Sequence, residues 1–276
     1  MKLKTSGMDM LRGPLCGKLL LFTLPIALSS IVQQLFHAAD TAVVGYFGSK
    51  NALAAVGINT EIIALIVTVS AGLSVGANIL IANQIGRKET QELPAAVQTA
   101  LLVQRRLKRD DLFRLTLRRP AFSRQTAWNV LKTGIPSAVQ GAVFCFANIF
   151  VQASVNRFGE TAIAGSTIAM NFEYFTYYII TAFGQTATTF TSQNHAAGQN
   201  RRCRKILWLC LGLSTVCSAV PIFMIVLFRN FFSGFFTPEA AVIESAGVRI
   251  LCILLFEPIC NFYEIPAGVL RGSRAI

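Results

Sequence analysis

Asp40 is the residue in this chain whose surroundings ask for chemistry. It lies in residues 18–48, KLLLFTLPIALSSIVQQLFHAADTAVVGYFG, a stretch otherwise dominated by apolar side chains. Ser30, Gln33 and His37 precede it at helical steps of three and four, which puts all four on one helix face. A carboxylate in hydrocarbon is costly as an anion, so it takes up and releases a proton as its surroundings change. Two readings stay open: a cation-coupling group, or a structural acid satisfied by neighbouring helices. The first is favoured because intramembrane carboxylates are usually functional. Pro25 removes a backbone hydrogen bond in the same stretch and marks a bend.

Other polar groups repeat the pattern. Gln140, Asn148, Gln152 and Asn156 share a face at steps of eight, four and four. Tyr174, Tyr178, Thr181, Gln185, Thr188 and Ser192 line another. Glu257, Asn261 and Glu264 fall on one face of a stretch that Pro258 and Pro266 kink. The aromatic run from Phe172 to Tyr178 has two open readings, a surface for a drug-like ring or an interfacial belt. Glu173 is expected near the outer end, exposed, and His195 in a solvated loop.

These faces need long helices in an apolar medium to hold them. Of 276 residues 53% are hydrophobic and 14% charged, where a soluble domain carries about 25% charge. Spans are expected at residues 18–48, 52–85, 130–156, 165–192, 206–228 and 242–270. The fold class is therefore all-α, a polytopic membrane protein of six helices. The net charge of +12 does not indicate nucleic acid, because the positives gather in short segments between spans. With the N-terminus in the cytoplasm, 21 of the 25 Lys and Arg fall on the cytoplasmic side. The basic run QRRLKRDDLFRLTLRRPAFSR, 104–124, is read as a cytoplasmic loop or surface helix. Cys203, Cys210 and Cys217 recur every seven residues and are read as small packing groups. Gly72 and Gly76 form a GxxxG that admits a close neighbour. No Ser/His/Asp set, HExxH or phosphate loop supports an enzyme.

The first and third spans repeat at a spacing of 111 residues: Leu24–Pro25 matches Ile135–Pro136, and Phe47–Gly48 matches Phe158–Gly159. Both copies enter from the same side, so they are parallel repeats about an axis along the membrane normal. ADTAVVGYFGS, ALAAVG, GLSVGANILIANQIGRKE, LKTGIPSAVQ, TTFTSQNHAAGQ and GVLRGS, in that order, resemble the multidrug and toxic compound extrusion (MATE) family of efflux antiporters.

The resemblance implies two helical bundles around a cavity, with drug-like cations exported in exchange for protons or sodium by alternating access. It assigns 1–103 to a partial N-terminal bundle, 104–132 to a basic linker and 133–276 to a partial C-terminal bundle. It implies an internal deletion between about Leu93 and Gln104 and a missing end. By resemblance Asp40 is the coupling residue and Pro25 the hinge. Gln33, His37, Asn148, Gln152, Tyr174, Tyr178, Gln185, Glu257, Asn261 and Glu264 are the candidate cavity residues. No cofactor or metal is implied beyond the coupling ion. The implied partners are a xenobiotic small molecule and the bilayer of the cell membrane, with self-association or a complementing fragment closing the cavity. Two further readings stand beside it: a non-transporting membrane fragment, and a flippase for a lipid-linked precursor.

Overall fold

The computed structural model describes residues 8–48, 50–87 and 124–273. The described residues are mostly helical, with no strand among them. The long helices are α1 (Leu15–Phe47), α2 (Lys50–Arg87), α3 (Arg124–Val155), α4 (Glu160–Ala196) and α5 (Asn200–Leu227). A short α6 (Arg229–Gly234) precedes α7 (Ala240–Leu254), and a 3-10 turn (Glu257–Cys260) joins α7 to α8 (Asn261–Ser273). The basic run at 104–123 and the expected deletion junction lie outside the described residues.

Among the described residues, four stretches are long and apolar enough to cross a membrane: Leu15–Phe47, Ile63–Arg87, Ala127–Phe158 and Asn200–Leu227. The expected fourth span falls in α4, which at 37 residues is about 55 Å long but too polar to count by hydropathy. The expected sixth span is divided. Pro258 has no N–H to continue a helix and disfavours helical backbone at the residue before it, so α7 stops and a 3-10 turn intervenes.

Helix α4 can be polar because neighbours surround it. Three apolar clusters meet on it: Phe183, Ala187 and Phe190 with Leu19 and Ile206; Ala164 and Ile168 with Leu53 and Val242; and Ala169 with Ile222 and Ile250. Its threonines satisfy themselves. The hydroxyls of Thr167, Thr186, Thr188 and Thr189 each donate to the carbonyl four residues earlier at 2.9–3.0 Å. A helix threaded through the protein interior thus carries hydroxyls without leaving them bare in an apolar medium.

Close approach is built from glycine. A Cβ at Gly72 or Gly76 of α2 would strike the backbone of α3 at Ala138, Val130 or Gly134, so the GxxxG seats α2 on α3. A Cβ at Gly268 of α8 would lie 2.5 Å from the Gly184 carbonyl of α4. Lipid tails are as apolar as leucine, so such contacts, rather than burial from water, hold helices together in a bilayer.

The repeats pack reciprocally. Helix α1 lies on α4, joined by Thr23 and Thr186 hydroxyls 2.8 Å apart, while α3 lies on α2. Between them α2 meets α4, where the Asn78 amide donates to the Thr189 hydroxyl at 2.8 Å. Those two positions are 111 residues apart, the repeat spacing itself. Equivalent positions meeting at equal depth on parallel helices is the signature of a two-fold axis running along them.

Candidate cation and substrate site

The candidate residues separate into two places. Asp40, Gln33 and His37 are exposed on α1, and Ser30 is half-buried. They flank Phe36 and Val43, also exposed, on a side of α1 that the described residues leave uncovered. Asp40 has no hydrogen-bond or ion-pair partner among the described residues. The buried side of α1 is a different one, formed by Leu15, Leu19, Thr23, Ala27, Gln34 and Thr41. There the Gln34 amide donates to the Asn171 side-chain oxygen of α4 at 3.2 Å. Pro25 is exposed, and α1 runs through it as one helix.

The second place is a cleft of about 310 Å³ lined by Phe144 and Asn148 of α3, Glu173, Tyr174 and Tyr177 of α4, Cys252 and Ile253 of α7, and Phe256, Glu257 and Cys260 near the 3-10 turn. Breaking the sixth span positions its acid: the turn carries Glu257 inward, where it is 5% exposed. One carboxylate oxygen accepts a hydrogen bond from the Thr176 hydroxyl at 2.5 Å. The other, Oε1, is buried without a hydrogen-bond partner among the described residues. Glu173 adds a second acid, held by Arg249 at 3.1 Å, and Arg249 also donates to the Ser166 hydroxyl. Glu173 is half-buried and paired rather than exposed as expected. The aromatic wall includes Phe144 stacked on Tyr177, with ring centres 5.8 Å apart. Tyr178 stacks on Tyr174 at 6.2 Å.

The other candidates lie elsewhere. The interruption sets Glu257, in the 3-10 turn, apart from Asn261 and Glu264, which both lie in α8. Asn261 is fully buried against α5, accepting from the Ser214 hydroxyl at 2.5 Å, and Glu264 pairs with Arg271 at 2.8 Å. Gln152 is buried and bonds Asn156 one turn on, and Gln185 is exposed. His195 ends α4 rather than standing in a loop, with its ring nitrogen 3.2 Å from the Asn200 oxygen. The cleft residues that the sequence did not single out are Phe144, Cys252, Ile253, Phe256 and Cys260, and with them Arg249 of α7, which reaches Glu173 beside the cleft. An acid and an arginine inside apolar helical stretches were the available signal.

A family model described as MatE matches residues 25–104 and 136–275, more than half of the chain. The chain belongs to the MatE family. Its two matched segments open at Pro25 and Pro136, the prolines of the internal repeat. Among its relatives, the multidrug resistance protein PmpM of Pseudomonas aeruginosa is 26% identical over 153 residues, covering 55% of this chain and 32% of that protein. The probable multidrug resistance protein NorM of Brucella suis is 27% identical over 180 residues, covering 58% of this chain and 38% of that one. The chain thus spans 32–38% of the length of these curated relatives. Among solved structures, a MATE protein in the straight conformation superposes with a TM-score of 0.74 at 15% identity, covering 98% of this chain and 85% of the other. A MATE protein in complex with MaL6 gives 0.75 at 16% identity, with 98% and 86% coverage. At that identity the likeness is one of fold. Family, relatives and apolar helices together make the chain a multi-pass membrane protein of a transporter family.

Proposed function

We propose that this MatE chain serves secondary active multidrug efflux, exporting cationic drug-like compounds in exchange for protons or sodium by alternating access. The observation that carries this reading is the buried Glu257, one of whose oxygens has no partner among the described residues, in a cleft walled by Phe144, Tyr174 and Tyr177. Ring faces attract organic cations, and an ionised acid beside them sets the sign of the charge admitted. Arg249 compensates Glu173, so Glu257 is left as the acid that a cation or a proton satisfies. Protonation of Glu257 removes the attraction and releases the cation. Asp40 with His37 forms a second exchange point on α1, and Pro25 is the hinge through which that helix responds. Each proton moving inward gains about 2.3 kcal/mol per 100 mV, enough to bias two nearby conformations.

The protein works in the cell membrane with its N-terminus in the cytoplasm, and a second copy or a complementing fragment covers the open side of α1. The test is binding of tetraphenylphosphonium to the purified chain, followed by drug accumulation in a pump-deficient host. Glu257→Gln is expected to weaken binding roughly tenfold. It is also expected to restore accumulation to that of the host alone. Unaltered binding and unaltered efflux in this variant reject the role of Glu257. A second reading, a fragment that does not transport, is favoured by coverage of only 32–38% of the curated relatives. Under it, tetraphenylphosphonium binds and no variant alters accumulation.

A further inference from the structure

At the start of α5 an open groove of about 740 Å³ is formed by Asn200, Arg201, Arg204, Lys205, Trp208 and Leu209. Arg201, Arg204 and Lys205 are exposed, and none of the three has an acidic partner among the described residues. Their neighbour Arg202 behaves differently. It turns inward and donates to the Gly13 carbonyl at 3.0 Å. The three outward cations therefore form a set apart from the charge that holds the fold.

Their place along α5 fixes what they face. Trp208, Val216, Val220, Phe223 and Leu227 follow at helical steps on the same side, each more than half exposed. This is an apolar stripe turned toward lipid. From Trp208 to Leu227 the helix rises about 28 Å, close to the roughly 30 Å of a hydrocarbon core. Arg201, Arg204 and Lys205 then stand about 4–10 Å above the edge of that core, at headgroup depth. Trp208 sits at the boundary, where indole rings are enriched. Cations at the head of the groove and apolar surface below match a lipid with a negative head and two chains. A zwitterionic lipid brings its own amine to the same groove and gains less.

We propose that Arg201, Arg204, Lys205 and Trp208 form a binding site for an anionic phospholipid, its phosphate among the three cations and its chains along the stripe from Val216 to Leu227. The proposal needs only that α5 spans the bilayer and is independent of the efflux reading.

The test uses the full chain with Trp128→Phe, which leaves Trp208 as the single tryptophan. The protein is reconstituted in phosphatidylcholine vesicles containing a minor fraction of brominated phosphatidylglycerol or, separately, the same fraction of brominated phosphatidylcholine. The anionic lipid is expected to quench Trp208 the more strongly. Each of Arg201→Gln, Arg204→Gln and Lys205→Gln is expected to lower that preference about fivefold, and the triple variant to abolish it. Equal quenching by the two lipids, or a preference that survives the triple variant, overturns the site. If the triple variant fails to insert, the single variants decide. An excess of inorganic phosphate is expected to leave the quenching unchanged; displacement by it would reveal a free-anion site and overturn the lipid assignment.

Discussion

Some polar side chains in the interior of this protein are held by partners far away in sequence. Thr176 reaches Glu257 across 81 residues, and Arg249 reaches Glu173 across 76. Hydrogen bonds to charged groups are worth roughly 1.5–3 kcal/mol. Thr176→Val is therefore expected to lower stability by about that amount, read as a fall in melting temperature in detergent. The same variant leaves Glu257 with no donor, so combining it with Glu257→Gln is expected to cost less than the two changes summed; strict additivity would deny the contact. Asn261→Ala strands the Ser214 hydroxyl in a buried setting and is expected to cost about 1–3 kcal/mol in the same melt. The sequence made Glu257 conspicuous, as a charge in an apolar run. It gave no view of Arg249 as the partner of Glu173, since nothing local links them. The adjacent glutamines Gln33 and Gln34 make the same point. Spacing placed Gln33 on the polar stripe, whereas packing against α4 selected Gln34 for burial.

Helix identity was legible because long apolar runs leave few alternatives, and the ends of α1 and α2 fall close to the expected limits. The interior of the sixth span was not. Pro258 signalled a kink, but how much of the turn becomes 3-10 depends on α4 and α5 packing from either side. Helix contacts also decide what a glycine is worth. Gly76→Ala puts a methyl group into the α3 backbone and is expected to destabilise by about 1–3 kcal/mol. Gly212→Ala on α5 meets nothing within 4 Å and is expected to stabilise slightly, by about 0.5–1 kcal/mol. Thermal melts followed by circular dichroism distinguish the two, and like shifts in both variants would contradict the α2–α3 contact.

Taken whole, the molecule is two repeats interlocked about an axis through Asn78 and Thr189. This arrangement makes the contact a register marker. Asn78→Cys with Thr189→Cys is expected to cross-link in membranes with a short bis-methanethiosulfonate reagent, detected as a joined peptide by mass spectrometry. Moving one cysteine two residues along its helix, to Leu80, turns it toward the far side and is expected to abolish the product. Cross-linking that ignores this change would dissolve the axis.

Composition and hydropathy by themselves determined that the chain is helical and built for a bilayer, since backbone groups in hydrocarbon must be satisfied within each segment. The spacing of 111 residues likewise disclosed the repeat. Which side of each helix is buried was decided by tertiary structure alone. In a bilayer, lipid and protein interior are equally apolar, so hydrophobicity does not mark the inward side; close fit and side-chain hydrogen bonds between distant segments do.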